Sequence, residues 1–195
     1  MNSKPLGKKA QSHLRIVEAA SRAVRRSGFR GVGVADVMKE AGLTHGGFYS
    51  HFASRDALLA EAVTQASSDI AAVIRADAAG LVRRGQSAFS AFVSSYLSDR
   101  QITDCENGCP VAALCAEMPG QSADVLDASR RILGNLHKLV QQAMPADSSP
   151  EAVWTVTSAL IGAVQLARAL GDNKQGKAVL AAARADLIAR YDHRQ

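Results

Sequence analysis

From Gln11 to Ser27, apolar Leu14, Val17, Ala20 and Val24 recur at helical spacing. Arg15, Glu18, Arg22 and Arg25 take the other face, and Glu18 and Arg22 are spaced for an i,i+4 ion pair. Gly28 stops this helix as a C′ residue. A short helix is predicted over Val34 to Ala41, ended by Gly42, and a further helical segment from Thr44 to about His51. Ser54 reads as an N-cap, with Asp56 in the first turn of a long helix through Leu58, Leu59, Ala62, Ile70, Val73 and Ile74.

The second part predicts more helices. Phe89, Phe92 and Tyr96 form an i, i+3, i+7 stripe, and Ser98 to Gly108 is polar and turn-prone. Pro110 opens a short helix to Met118, broken by Pro119-Gly120. A helix from Ser122 to about Met144 carries Val125, Leu126, Ile132, Leu133, Leu136, Leu139 and Val140. After a loop from Pro145 to Pro150, two last helices run over Glu151–Leu170 and Lys174–Tyr191. No period-2 alternation occurs anywhere, so the predicted fold is all-α, with about nine helices and no sheet.

Composition narrows this picture. At 195 residues, 47% hydrophobic and 21% charged, the chain can bury a core and is not generally disordered. Its longest uncharged stretch, Ala152 to Ala167, is shorter than the roughly 20 residues of a spanning helix, so no membrane partner is expected. The N-terminus has no apolar run of the secretory kind, and three cysteines cannot close an intramolecular disulfide framework; a reducing cytoplasm is the expectation. The net charge of +5 is unevenly placed. Residues 1–57 hold ten Lys and Arg against four acids, whereas the remainder holds 13 against 14. A basic N-terminal unit, with a basic arm over residues 1–10, on a near-neutral body points to a polyanion partner at one end.

Within that basic unit, residues 28–59 read as helix, glycine-containing turn, helix. Val34, Val37, Met38, Ala41, Leu43, Phe48 and Phe52 can form the small core that fixes the two helices. Thr44, His45, Gly46 and Gly47 then face outward at the start of the second helix, the end that enters a major groove in this geometry. Thr44 and His45 would supply direct base readout, and the two glycines would admit close backbone approach. The Tyr49 hydroxyl and His51 imidazole point sideways, where they can bond phosphates.

Ala41, Gly42, Leu43, Thr44, Gly46, Phe48, Tyr49, His51, Phe52, Ser54, Arg55, Asp56 and Leu58 together resemble the DNA-binding motif of the tetracycline-repressor (TetR) family. The resemblance implies a one-component transcriptional regulator, usually a repressor. It would be a homodimer on a palindromic double-stranded DNA operator, with half-sites about 34–36 Å apart or a multiple of that. A small-molecule effector in the C-terminal domain would release the DNA. The implied division is a DNA-binding domain over 1–57 and a helical ligand-binding and dimerisation domain over 58–195. The chain departs from the family at Gly33, where Ser or Thr usually caps the helix and reaches a phosphate; Gly33 can still cap, with that contact missing. Arg55 stands for the commoner Lys and should keep its charge.

Other residues carry further expectations. Phe89, Phe92 and Tyr96 are candidates for an effector pocket, with Cys115, Met118, His137, Trp154 and Gln165 as companions. A stripe at helical spacing is also what plain core looks like, and His137 on a Leu-rich helix suits a surface or hydrogen-bonded histidine. Cys105, Cys109 and Cys115 lie within eleven residues. Cys109, as the cap of the helix at Pro110, is a candidate thiol sensor with Cys105 or Cys115 resolving; alternatively the cysteines are inert. Their spacing fits no zinc motif, and no metal or cofactor is expected. In the last two helices, Ala159, Leu160, Gly162, Ala163, Leu166, Ala167, Leu180 and Leu187 predict a dimer interface. A thiol oxidoreductase is disfavoured, because the chain lacks Cys-x-x-Cys, a βαβ pattern and a Gly-rich phosphate loop; no enzyme activity is expected. An architectural DNA binder without sequence preference is the other alternative.

Overall fold

The computed structural model describes residues 7–192. Among them are nine α-helices and no strand: α1 (Lys8–Ser27), α2 (Val34–Glu40), α3 (Arg55–Arg83), α4 (Ala88–Tyr96), α5 (Arg100–Thr103), α6 (Pro110–Leu114), α7 (Ala123–Ala143), α8 (Pro150–Leu170) and α9 (Lys174–Tyr191). The expected reading helix is instead a short 3-10 segment, His45–Ser50. Glycines in that segment disfavour the wider α-helical turn, and a 3-10 run of this length is held from outside.

Helix ends follow the side chains. Ser54, Ser87 and Ser149 each accept a backbone N–H three residues on, opening α3, α4 and α8, and Asn173 caps α9. Gly28, Gly42 and Gly171 have positive φ at helix-ending turns. Of the expected basic arm over residues 1–10, Lys8, Lys9 and Ala10 belong instead to α1, and residues 1–6, with Lys4, lie outside the described residues. The polar stretch from Ser98 to Gly108 holds α5 and a 3-10 turn at Cys105–Asn107. The helix from Pro110 stops at Leu114, and Pro119-Gly120 sits within a 3-10 turn, Met118–Gly120.

Helix α3 is the spine. It packs on α1 near its start and on α4 and α7 further along. A boundary between residues 57 and 58 falls in its first turn, so one continuous rod links the basic unit to the body. Both α3 and α8 hold an 18-residue window of mean hydropathy 1.3, long and apolar enough by composition to cross a membrane. The uncharged stretch of α8, Ala152 to Ala167, lies inside that window, which also admits charged residues. Here both helices lie against neighbours, α3 on α1, α4 and α7, and α8 on α9 and α7.

Two arginines expected on the outer face of α1 are placed otherwise. Arg25 is buried, donating to the Ser21 hydroxyl at 2.9 Å and to the Ser21 carbonyl at 3.0 Å. Burial lowers its pKa from the ordinary guanidinium value, and Asp69 and Asp104 work against that shift. Arg22 pairs with Glu40 of α2 at 2.8 Å rather than with Glu18.

The last two helices redraw the expected interface. Leu160, Ala163, Ala167, Leu180 and Leu187 are buried within their own chain, because α8 and α9 pack their Leu faces on each other and on the body. Ala159 and Gly162 are half-buried, and Leu166 is 62% exposed. Trp154 and Leu170 are also exposed on α8, and Ala178, Ala181, Ala182, Ala185 and Ala189 are exposed on α9. The outward side therefore mixes these apolar residues with exposed Thr155, Ser158 and Gln165, and it is drawn by residues other than those expected.

Candidate nucleic-acid interface

Helix α2, the Gly42 turn and the segment His45–Ser50 form a helix-turn-helix. The turn is closed by the backbone: Leu43 N–H donates to Met38 O at 2.8 Å and Gly42 N–H to Lys39 O at 3.0 Å. Gly42 takes φ +69°, which an L side chain rarely adopts. Behind the turn lies the expected small core. Val37, Met38, Ala41, Phe48 and Phe52 are buried, with Val34 and Leu43 packed against them. The Phe48 and Phe52 rings stack at 5.6 Å, and His13 of α1 stacks on Phe52 at 4.5 Å. Helix α1 thus clamps the back of the reading segment.

The front is open. Thr44, His45 and Gly46 are exposed, Gly47 is half-buried, and Tyr49 is 76% exposed. A Cβ built on Gly46 would meet nothing, so the fold itself does not demand a glycine there. At Gly47 the nearest atoms would be Met38 Cε and Thr44 Oγ1, both at ordinary contact distance.

The remaining predicted contacts are placed with more internal work than their spacing indicated. His51 is half-buried, its ring 6.1 Å from His13, and its Nδ1 has no hydrogen-bond partner in the structure. Desolvation, then the charges of His13 and Lys9, hold its pKa below the ordinary value of 6.5. Arg55 turns inward: its Nε donates to Val32 O at 3.1 Å and its Nη2 to Phe29 O, bracing the loop between α1 and α2. Gly33 occupies the N-cap position of α2 in extended backbone, and the Asp36 carboxylate stands over it, 2.8 Å from where a Cβ would be. One cation that the spacing left on a plain outer face is Arg15. It is exposed and its Nη1 lies 3.8 Å from the Cβ position of the Gly42 turn. Its position in α1 alone gave no signal, because only the fold brings α1 beside that turn.

In the body, the eight candidate pocket residues do not share one cavity. Tyr96 is fully buried and lines a narrow apolar cavity with Ser67, Ile70, Ala71, Ile74, Cys109, Pro110, Val111, Ile132, Leu136 and Leu139. Only about 20 Å³ of it is open to the centre of a water molecule. Phe92 is buried with its ring 6.2 Å from Tyr96. Phe89 instead walls an open cleft of about 530 Å³ between the α3–α4 turn and the end of α7. Met118 is buried in its 3-10 turn, Cys115 is half-buried beyond α6, and Gln165 is exposed. His137 and Trp154 stack on each other at 3.9 Å on the α7–α8 seam, with Trp154 49% exposed.

The three cysteines are free thiols. Cys109 holds the N-cap position of α6 but makes no side-chain cap bond, which corrects the expected capping role. Its sulfur accepts a hydrogen bond from the Tyr96 hydroxyl at 3.1 Å, and its N–H donates to Gln101 Oε1 at 3.0 Å. Burial and the Cys109 sulfur raise the Tyr96 pKa well above its ordinary value, keeping the phenol a donor.

Comparison with known proteins adds three findings. The model of the bacterial regulatory proteins of the tetR family matches residues 16–62, which span α1, α2, the reading segment and the start of α3. An HTH-type transcriptional regulator of Mycobacterium tuberculosis, found in two strains, is 30% identical over 169 residues, covering 81% of this chain and 84% of the relative. Among solved structures, a TetR-family regulator from Agrobacterium tumefaciens superposes with a TM-score of 0.76 at 18% identity, covering 94% of this chain and 99% of that one. The reduced form of NemR from E. coli gives 0.73 at 18% identity, covering 92% and 96%. At that identity the structural likeness is one of fold.

The buried, unpartnered face of His51 has a measurable consequence. Its folded pKa lies below the ordinary value of 6.5, so the folded unit binds fewer protons than the unfolded chain as pH falls. The His51 contribution is whole above that value and declines as the pH drops through it. Replacing His51 by Gln is expected to flatten the acid limb of stability between about pH 7.5 and 5.5. Denaturant midpoints of both proteins across that range check it; parallel curves would refute the assignment.

Proposed function

The chain belongs to the tetracycline-repressor family of bacterial transcriptional regulators, and from that premise we propose that it is a homodimeric repressor whose hold on a palindromic operator is released by a small effector. The observation that carries this reading is the braced helix-turn-helix. Its tip, Thr44 to Gly47, faces solvent while Phe48 and Phe52 anchor it from behind. In this reading Thr44 and His45 meet base edges, and Gly46 lets the backbone close on the groove. Tyr49 and Arg15 hold phosphates, with His51 supporting from the flank. Arg55 acts through the α1–α2 loop that it braces. The protein works where its double-stranded DNA lies, in the cytoplasm, and its role is binding rather than turnover.

The dimer is supported by the outward face of α8 and α9. Leu166 and Leu170 of α8 and several alanines of α9 stand exposed, interspersed with polar Thr155, Ser158 and Gln165, and apolar side chains of this kind are what two copies would cover on meeting. The effector seat is best supported at the Tyr96–Cys109 cavity, which lies among α3, α4, α6 and α7. Its linings are apolar apart from a few polar atoms, as a small-molecule site requires. The cavity is narrow as it stands, so an occupant must favour a wider conformation, and its differential affinity sets the size of the response.

A thiol-sensing variant of this reading is favoured by one observation. Cys109 sits in that same cavity with the Tyr96 hydroxyl on its sulfur, so modification of the thiol would both remove a buried hydrogen bond and add volume. Cys105 and Cys115 remain the candidate resolving thiols.

In DNA selected from a random pool, Tyr49→Phe should weaken binding on all sequences. Thr44→Ala or His45→Ala should relax choice at particular base pairs, by about 1–3 kcal/mol each. Gly46→Ala should leave the melting temperature unchanged and still weaken binding; equal affinity of the parent protein for selected and random DNA at matched salt would sink the reading. For the dimer, Leu166→Asp should shift the sedimentation coefficient towards the monomer and weaken operator binding with it. For the thiol variant, Cys109→Ser should bind operator normally yet resist oxidant, and release that persists in this mutant discards the sensor.

A further inference from the structure

The crease between α3 and α7 holds a groove of about 240 Å³. One wall is a ladder on α3, Ser67, Ala71 and Arg75, spaced four residues apart along one face. The other wall is α7, with Lys138 and Leu139. Ser67, Ala71 and Leu139 also line the Tyr96–Cys109 cavity, so groove and cavity share a partition. All three are half-buried, and α3 brings only a hydroxymethyl and a methyl group to it. The groove is thus an outer vestibule of the cavity, and the Leu139 side chain is the largest group between them.

The two spaces differ in chemistry. Behind the partition the lining includes Ile70, Ile74 and Ile132, and the Tyr96 hydroxyl already donates to Cys109. In front of it stand Arg75 and Lys138, both exposed. Among the described residues, neither cationic head has a hydrogen-bond or ion-pair partner. No carboxylate lines the groove, and Asp69 and Asp77 of α3 are engaged with Arg25 and Arg100 instead. Along the crease towards α1 the next hollow adds Arg131, and its one acid, Glu61, is bonded to His13. An anionic group in the vestibule keeps its water and gains two cations, whereas among the isoleucines it would lose its hydration with nothing to replace it.

We propose that vestibule and cavity together form a binding site for an anionic amphiphile. Its anionic head lies between Arg75 and Lys138, and its slender apolar tail turns Leu139 aside and enters the cavity beside Tyr96. The regulatory meaning of this site rests on the reading of the cavity as the effector seat. Burial of the tail supplies the driving force for widening a cavity that is narrow when empty. The head sets the selectivity, because a neutral or cationic molecule with the same tail forgoes both attractions.

Four probes test this: octanoate, octanol, octylammonium and acetate, titrated calorimetrically into the full chain without DNA at neutral pH and fixed salt. Octanoate is expected to saturate one site per subunit, about tenfold tighter than octanol and octylammonium, with no detectable heat from acetate. Arg75→Gln/Lys138→Gln changes two exposed positions and should bring octanoate within about twofold of octanol while leaving octanol unchanged. Ala71→Leu, or Ser67→Leu where the first does not fold, narrows the partition and should abolish octanoate binding. Equal affinity of the parent protein for octanoate and octanol, an octanoate preference that survives loss of both cations, or unchanged binding in the folded narrowing variant overturns the site. So does the absence of saturable octanoate binding. A parallel titration of the operator complex, followed by fluorescence anisotropy, keeps the two readings apart. Octanoate that binds by these rules but leaves the operator bound supports the site and removes its role as effector seat. Failure of the protein to prefer operator over random DNA sinks the regulator reading, while the calorimetric result still decides the site.

Discussion

A six-residue 3-10 segment with two adjacent glycines does not hold its shape in water by itself. What holds His45–Ser50 is the contact of Phe48 and Phe52 with Met38, Val37 and α1. Each buried aromatic is worth about 1.5–3 kcal/mol of transfer free energy, against little intrinsic helix stability in the segment. Everything the reading tip does depends on that anchoring. The exposed side chains can be few and small because the segment's orientation is set from the rear, and a bare glycine at the tip becomes tolerable for the same reason.

The same dependence runs outward. Helix α1 presses His13 on Phe52 at one end and is gripped through Arg25, Arg26 and Phe29 at the other. Helix α3 carries Ser54 and Arg55 at its base and lines the interior cavity further along. Two rods therefore connect the tip to the body, α3 as one continuous helix and α1 through hydrogen bonds and an ion pair at its C-terminal end.

Much of this was legible in the residues. The helical spacing of Leu14, Val17, Ala20 and Val24, the cap at Ser54 and the turn at Gly42 are local signals, and the chain obeys them. The core behind the tip was legible too, because its residues fall within about twenty positions of one another. What was not legible depends on distant partners. Arg25 carries a charge at a position the helical wheel left to solvent, and the Ala66 and Gly108 carbonyls, from far along the chain, help to satisfy it where it is buried. Arg55 reads as a surface cation until the α1–α2 loop is seen to fold over it. Leu160 and Leu180 are apolar whichever neighbour covers them, so periodicity could not separate a face turned inward from one turned to a second copy. The cavity companions failed to converge for a related reason: spacing ranks faces on one helix, and a cavity needs three or four helices to agree.

The stack of His137 on Trp154 has a use beyond packing. Trp154 is the sole tryptophan of the chain, and it lies half-exposed on the seam between α7 and α8. Its emission is therefore an intrinsic single-site optical signal, sensitive to the stacked imidazole on one side and to the polarity of whatever covers the indole on the other. Subunit exchange and seam motion can be followed in the unlabelled molecule, in real time, without an added dye.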